Sequence, residues 1–583
     1  MPDSGDVRGV QATQGPDTPV RVFPMPPRDD AGPPEIVQGF LEALTSDDPQ
    51  FEVARKYLTA EASKKWHPDR STVVLADGPN TKTDHGGNDA AGGLTYTLTG
   101  QKVAAVDAQH AYEPVDGPYR QTLHLTKVDG PEGQEWRIDM PPDGVVLGDS
   151  DFQRIYQPVD KYYFASDSSS DGDERRELVA DPVYVRGQID PLTQTVKSLL
   201  AGPTHWLEPV VRSRFPSGTQ LKKGTKSLSP DDQDKLKVPL NREADRVGQA
   251  QCTEMAAQLL FTIDDLTPSG VDEVELQRSD GSQLCVLNQA QAESIAPQRT
   301  TGHPEYQYFL DKKHRLVRMG GSGKSAGSKP EPVPGPLGNG DQALRSVAVS
   351  RNEERAAGVS LDGRSLFVGS LASGASLGDA VVTSRAKSES DRLTTPSWDG
   401  RGDLWVADRN PKDPRLLLLE KGAGEPIEVR TFGLDGGRIE AVRVAADGVR
   451  VALLVKEDGK TSLRIGRVER EGGSGERPEV SVVELRAAAP QMEVTAMSWA
   501  GGSRLVVVGR ESGGVQQIRY VKCDGLTPSG GVLPGLNGVK EIAASENDQL
   551  PLVAHSDDGI VRLPAGAAWQ TVVEDGTAPV YPG

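Results

Sequence analysis

The sequence predicts a multidomain protein: two N-terminal α+β domains followed by an all-β propeller of five or six blades. Three observations lead there. The chain has 583 residues, more than one hydrophobic core organises, so two to four domains are expected. From about Ser346 onward, pairs of apolar strands recur at a propeller-like interval. Ahead of that repeat, helical and strand-like patterns alternate, which marks mixed α+β units.

Residues 1–33 are rich in Pro, Gly, Asp and Gln and form an extended N-terminal segment. The first domain spans 34–155. Its opening helix comes after Pro33-Pro34 and places Ile36, Val37, Phe40, Leu41 and Leu44 on one face. A second helix is expected to open at Asp48-Pro49, an N-cap followed by proline at N1, and to bury Phe51, Ala54 and Leu58. Strands are expected at 96–98, 103–106, 121–125 and 136–138. Two helices leading into a curved sheet look like the cone-shaped NTF2-like class.

The second α+β domain spans 156–300, with strands at 162–165 and 178–185. Asp190-Pro191 starts a helix that aligns Leu192, Val196, Leu199 and Leu200, and Gly202-Pro203 stops it. Phe215-Pro216-Ser217-Gly218-Thr219 then leads into further strands and a long helix over 243–263.

The last domain, 301–583, contains the repeat. The strand pairs are 347–349 then 366–368, 396–398 then 404–406, and 441–444 then 451–455. Two more complete the series, 496–499 then 505–508, and 542–544 then 552–554. Taking Ser350, Trp398, Val444, Trp499 and Ala544 as equivalent ends, the steps are 48, 46, 55 and 45 residues. A period of roughly 40–50 residues built from short strands is the signature of propeller blades. The second strand of each pair is apolar without alternation, which suits a strand covered on both faces. A third strand often alternates around an arginine (Arg464, Arg519, Arg562), as expected nearer the rim. Turns fall at Asp362-Gly363, Asp447-Gly448 and Asp557-Asp558-Gly559. Residues 306–310 and 316–317 supply strands for a further blade, and 320–340, nearly all Gly, Ser, Lys and Pro, reads as a linker or loop. A two-sheet sandwich with long loops is the competing architecture.

Composition narrows the function classes. The formal net charge of −19 argues against a nucleic-acid partner, which needs a basic face to replace phosphate counterions. The sequence has no run of about 18 apolar residues, so no transmembrane helix is expected. Met1 leads into Pro-Asp-Ser-Gly-Asp, unlike a signal peptide.

Three cysteines occur, at 252, 285 and 523. Cys252 lies on a helical stripe with Ala256, Leu259, Leu260 and Ile263, and Cys285 lies in an apolar strand after the Ser-Asp-Gly turn at 279–281. A disulfide between Cys252 and Cys285 would close a loop of about 34 residues and contribute roughly 3–4 kcal/mol in the chain-entropy model. Two buried thiols are the alternative. Cys523 has no evident partner.

Motifs that imitate catalytic signatures fail on context. Gly320-Gly321-Ser322-Gly323-Lys324-Ser325 resembles a phosphate loop, but Arg318 stands at its first glycine and no helix comes after it. Gly323-x-Ser325-x-Gly327 lacks the strand and helix of a nucleophile elbow. Asp167-Ser-Ser-Ser-Asp171-Gly172 begins like a calcium loop but has Leu178 where a bidentate glutamate is needed. Arg401-Gly402-Asp403 sits in an inter-strand turn, and Trp398-Asp399 is not repeated. The eight histidines show no metal-ligand spacing. No catalytic, cofactor or metal residue is assigned.

Asp181-Pro182-Val183-Tyr184-Val185, Leu199-Leu200-Ala201-Gly202-Pro203 and Phe215-Pro216-Ser217-Gly218-Thr219 look like a GerMN domain, a module of spore-germination and envelope lipoproteins. With the flanking segments, essentially the whole chain resembles the LpqB family of actinobacterial lipoproteins. Met1-Pro2-Asp3-Ser4-Gly5-Asp6-Val7 looks like the stretch just after the lipidated cysteine of that family, which makes Met1 an internal residue of a precursor. The resemblance implies a non-enzymatic lipoprotein on the outer face of the cytoplasmic membrane, tethered by an N-terminal lipid anchor absent from this chain. It further implies that the partner is the extracytoplasmic domain of a membrane sensor kinase of the MtrA–MtrB two-component type, in cell-envelope homeostasis. Other classes are a propeller enzyme acting on an envelope glycan or lactone, and a ring-forming envelope scaffold. An enzyme would gather acidic residues or histidines at one channel mouth.

Overall fold

The computed structural model describes residues 24–46, 48, 50–83, 93–130, 133–166, 177–266, 270–295, 304, 306–320, 329–434, 436–471, 479–547 and 550–583. These form two compact units. One holds the described residues up to Lys102 together with Gly117–Gln157 and Arg186–Ile189; the other holds Val103–Asp116, Pro158–Val185 and Asp190–Gly583.

In the first unit the expected opening helix, Pro33–Leu44, buries Ile36, Val37, Phe40, Leu41 and Leu44. The second helix differs from expectation. It runs Glu52–Lys56, because Asp48 caps from a distance: its carboxylate accepts hydrogen bonds from the Gln50 and Val53 amides at 3.1 and 3.0 Å. A third helix, Ala60–Lys65, starts where Thr59 Oγ1 accepts from the Ala62 amide at 3.2 Å. Trp66 anchors the core against Phe40, ring centroids 5.7 Å apart, and donates its indole N–H to the Gly144 carbonyl. The sheet order is Gly133–Met140, Tyr112–Gly130, Leu94–Val106, Thr72–Leu75, Val145–Gly148. The stretches expected as separate strands at 96–98 and 103–106 are one strand, whose polar Gly100-Gln101-Lys102 masks its continuity.

In the second unit, the middle module pairs Tyr156–Ala165 with Leu178–Arg186 and Val211–Arg212. A second sheet contains Lys235–Pro239, Glu273–Gln277 and Gln283–Asn288. The helix Pro191–Ala201 begins with Asp190 accepting from the Thr193 amide and ends at Gly202, whose φ of +105° suits a residue without a Cβ. The long helix starts later than expected, at Gln249, because Gly248 is extended and residues 242–244 form a 3₁₀ turn. Cys252 on this helix and Cys285 on the adjoining strand sit in disulfide geometry, with Cα atoms 6.1 Å apart, and both are buried.

The propeller has six blades among the described residues. The first combines Tyr306–Leu310, Leu316–Gly320 and Glu331–Pro332 with the C-terminal strand Thr577–Val580, so the two ends of the domain close the ring. The second contains Leu344–Val349, Arg355–Ser360, Ser365–Ser370 and Val382–Thr383. The third contains Ser397–Trp398, Leu404–Asp408, Arg415–Leu419 and Ile427–Thr431. The fourth contains Arg438–Val444, Arg450–Glu457, Lys460–Glu471 and Glu479–Ala488. The fifth contains Met492–Trp499, Arg504–Glu511 and Gln517–Lys522, and the sixth Glu541–Ala543, Leu552–Ser556, Gly559–Leu563 and Gln570–Val573. Each blade's innermost strand touches the next around a closed circle. The outer strands of blades three and four also pair in parallel, Arg430 opposite Ser481.

Two sequence expectations change here. The strand at 366–368 is the third of its blade, because Arg355–Ser360 intervenes. That strand is Arg-Ala-Ala-Gly-Val-Ser, whose small residues hide it; a Cβ on Gly358 would crowd Leu344 of the inner strand. Within the supposed linker at 320–340, Glu331–Pro332 is a blade strand, Pro336–Asn339 is helical, and Val333 and Leu337 are buried. Residues 321–328 lie outside the described residues.

Candidate functional site

Two blades show how the ring is held. Ser397 Oγ accepts from the Val444 amide of the next blade, and Trp398 Nε1 donates to the Ala348 carbonyl of the preceding one, at 3.0 and 3.3 Å. Two blades on, Ser498 Oγ accepts from the Ala544 amide at 3.0 Å and Trp499 Nε1 donates to the Arg443 carbonyl at 3.0 Å. A Ser-Trp dipeptide therefore staples its inner strand to both neighbours in blades three and five. Sequence reasoning looked for a repeated Trp-Asp and missed the repeated Ser-Trp.

The middle module is joined to blades four and five. One buried apolar cluster runs from Tyr163, Val179 and Leu260 into Val449, Leu454, Leu505 and Val521. Polar groups fix the orientation. Arg450, 2% exposed, forms an ion pair with Asp447, donates to the Ala180 carbonyl at 3.1 Å and to the Gly502 carbonyl, and approaches Cys523 Sγ at 3.4 Å. Burial, the largest single influence, would lower the Arg450 pKa, but Asp447, Cys523 and Asp160 together outweigh it and the net shift is upward. Burial pushes the Cys523 thiol up to about 12, with Arg450 opposing. Tyr184 donates to Asp524 Oδ2, Ser503 donates to Asp160 Oδ2 at 2.7 Å, and Trp206 Nε1 donates to the Glu484 carbonyl at 3.2 Å. Desolvated groups paired in this way contribute less to net stability than to a unique docking geometry.

The motif residues of the middle module have structural work. Asp181 accepts from the Thr204 amide and hydroxyl at 2.8 and 2.7 Å, pinning the chain after Gly202-Pro203. Lys161, 1% exposed, donates to the Gly202 carbonyl at 2.8 Å and lies 3.4 Å from Asp181. Thr219 closes its turn through both its amide and hydroxyl on the Pro216 carbonyl.

Between this module and the propeller axis lies a cavity of about 440 Å³. Asp160, Glu177, Arg351, Arg443, Trp499 and Glu546 are among its lining. The mouth therefore mixes cations and carboxylates; Arg351 pairs with Glu546 at 2.9 Å. Among the described residues, no three His, Cys, Asp or Glu side chains are grouped to hold a metal.

Gly402 and Asp403, of the Arg401-Gly402-Asp403 stretch, form the turn between the first two strands of blade three, where Asp403 accepts from the Lys421 amide at 3.0 Å. Trp398 is core, 1% exposed. His124 lies 2.6 Å from Asp139 and His555 lies 3.1 Å from Glu541, in different units. The phosphate-loop and elbow look-alikes at 321–327, the calcium-loop look-alike at 167–172 and residues 1–23 fall outside the described residues.

Similarity to known proteins falls along the same division. Residues 26–153 match the family described as Lipoprotein LpqB, N-terminal domain; residues 161–285 match Sporulation and spore germination; and residues 315–582 match Lipoprotein LpqB beta-propeller domain. The chain is 64% identical to Lipoprotein LpqB of Streptomyces avermitilis, over 100% of this chain and 95% of that one. It is 61% identical to Lipoprotein LpqB of Streptomyces coelicolor with the same coverage, and 30% identical to that of Thermobifida fusca over 99% and 94%.

Proposed function

The chain belongs to the LpqB lipoprotein family, and on that premise we propose that it is a non-catalytic lipoprotein that binds a membrane sensor kinase. The reading places it at the outer face of the cytoplasmic membrane, held by an N-terminal lipid, with the extracytoplasmic domain of a kinase of the MtrA–MtrB type as partner. The observation that supports it best is full-length relatedness to proteins named as lipoproteins, together with a chain whose distinctive residues serve docking between modules. A middle module fixed to the propeller in this way suits protein contact.

Physically, such a partner regulates by preferring one signalling state. Equal affinity for both states would shift nothing, whereas a hundredfold preference shifts the equilibrium by about 2.7 kcal/mol. Titration of the purified chain with the kinase's extracytoplasmic domain tests this. Saturable association, weakened when the propeller or the middle module is disrupted, is expected. Absence of binding at high micromolar concentration with folded partners would overturn the proposal.

A further inference from the structure

The cavity on the propeller axis has a chemistry that the kinase reading does not use. At the level of the Ser-Trp staples, its wall is formed by one position from each blade: Ala348, Ser397, Arg443, Ser498, Ala543 and, from the closing strand, Pro579. Five of these are small or uncharged. Arg443 alone introduces charge into that ring, at the place where blades three and five have serine.

Arg443 is partly buried and lines the cavity. Its guanidinium donates to the neighbouring Val442 carbonyl at 2.9 Å, and no carboxylate of the described residues forms an ion pair with it. Glu541, the acidic group that acts on it electrostatically, is engaged elsewhere: Oε2 accepts from the Ala578 amide at 2.9 Å and faces His555 Nδ1 at 3.1 Å. Loss of water depresses the Arg443 pKa, with Glu541 opposing, but a guanidinium does not give up its proton in a protein. The site therefore holds a fixed, poorly hydrated positive charge.

The two serines add donors. Their oxygens already accept the Val444 and Ala544 amides, so their hydroxyl hydrogens remain to be placed. The intramolecular acceptors for those hydrogens are carbonyls at 3.5 and 3.4 Å, a length at which hydrogen bonds are weak. The ring thus offers a guanidinium fork and two hydroxyl donors, and a volume of about 440 Å³ admits a small molecule. Arginine recognises carboxylate and phosphate oxygens through paired N–H donors.

We propose that the propeller channel at Arg443, flanked by Ser397 and Ser498, binds a small anionic ligand through its carboxylate or phosphate group. Isothermal titration of the full chain with inorganic phosphate and, separately, with citrate at constant ionic strength tests this. At least one anion is expected to bind saturably in the millimolar range or tighter, and Arg443→Met is expected to weaken it at least tenfold. Phosphate alone binding assigns phosphate esters; citrate alone assigns carboxylates. Arg443→Lys retains charge without the fork and is expected to bind with intermediate affinity, which covers the case in which the methionine variant misfolds. Absence of saturable binding of either anion overturns the proposal, as does unchanged binding by a folded Arg443 variant.

Discussion

Tyr184 donates its hydroxyl hydrogen to Asp524 Oδ2 at 2.8 Å, joining the middle module to blade five across 340 residues of sequence. Asp524 also accepts from the Leu526 amide at 3.0 Å, and both groups are buried. Burial dominates these two hydrogen bonds and pushes the Asp524 carboxyl up to about 6 from its ordinary 3.8. The interface between two modules therefore contains a carboxylate that opposes folding once ionised.

This sets a pH dependence with a definite sign. Because the native state keeps a proton that the unfolded chain releases, Asp524 weakens stability as pH rises from about 4 to about 6, and its penalty is full above that window. Asp524→Asn removes the titration while keeping an acceptor for Tyr184. The variant is expected to exceed the parent at pH 7.5 by on the order of 2–3 kcal/mol, with the gap closing by pH 4. Urea unfolding across that range measures it, and a gap independent of pH would contradict the assignment.

Arg450 should behave as the linchpin of module docking. Arg450→Met strands the buried Asp447 carboxylate and releases the Ala180 carbonyl, and the expected cost is about 3–5 kcal/mol. Calorimetry should resolve separate transitions for the middle module and the propeller in the variant, with one shared transition in the parent.

The Trp398 pocket predicts a steric effect. Gly422 has φ of +63°, and a Cβ there would run into the Trp398 ring. Gly422→Ala is expected to destabilise the propeller by about 1–3 kcal/mol through overpacking and backbone strain together. Trp398→Ala should cost about 3–5 kcal/mol by leaving a cavity, and denaturant midpoints rank the two.

These elements also mark what could be read from the chain. Blades three to six were legible because their second strands carry continuous apolar runs, as in Val-Ala-Leu-Leu-Val at 451–455. Blade two was misaligned because Ala356, Ala357 and Gly358 pack closely and leave no hydrophobic signature. The first blade's closure by Thr577–Val580 joins residues from opposite ends of the domain, which no local pattern announces. The ring at Arg443 was invisible for the same reason: its six members lie on six blades and acquire meaning together. Asp181 and Tyr184 stood out as motif residues, but their partners Thr204 and Asp524 emerge from the fold.

The cysteine pair gives a chemical prediction. We expect Cys252 and Cys285 to be oxidised in the folded protein, leaving Cys523 buried and unreactive. Thiol titration should find one reactive group in denaturant and three after reduction. Reduction, or replacing both residues with alanine, should lower stability by about 2–5 kcal/mol.

The regulatory claim is tested most directly by the kinase's own activity. Full-length sensor kinase in proteoliposomes, with the chain added on the extracytoplasmic side, would be monitored by autophosphorylation rate. A saturable change in that rate, reduced when Arg450→Met loosens the docked modules, is the expected result. A rate that stays constant at concentrations where the two proteins bind would contradict it, because binding without preference cannot signal.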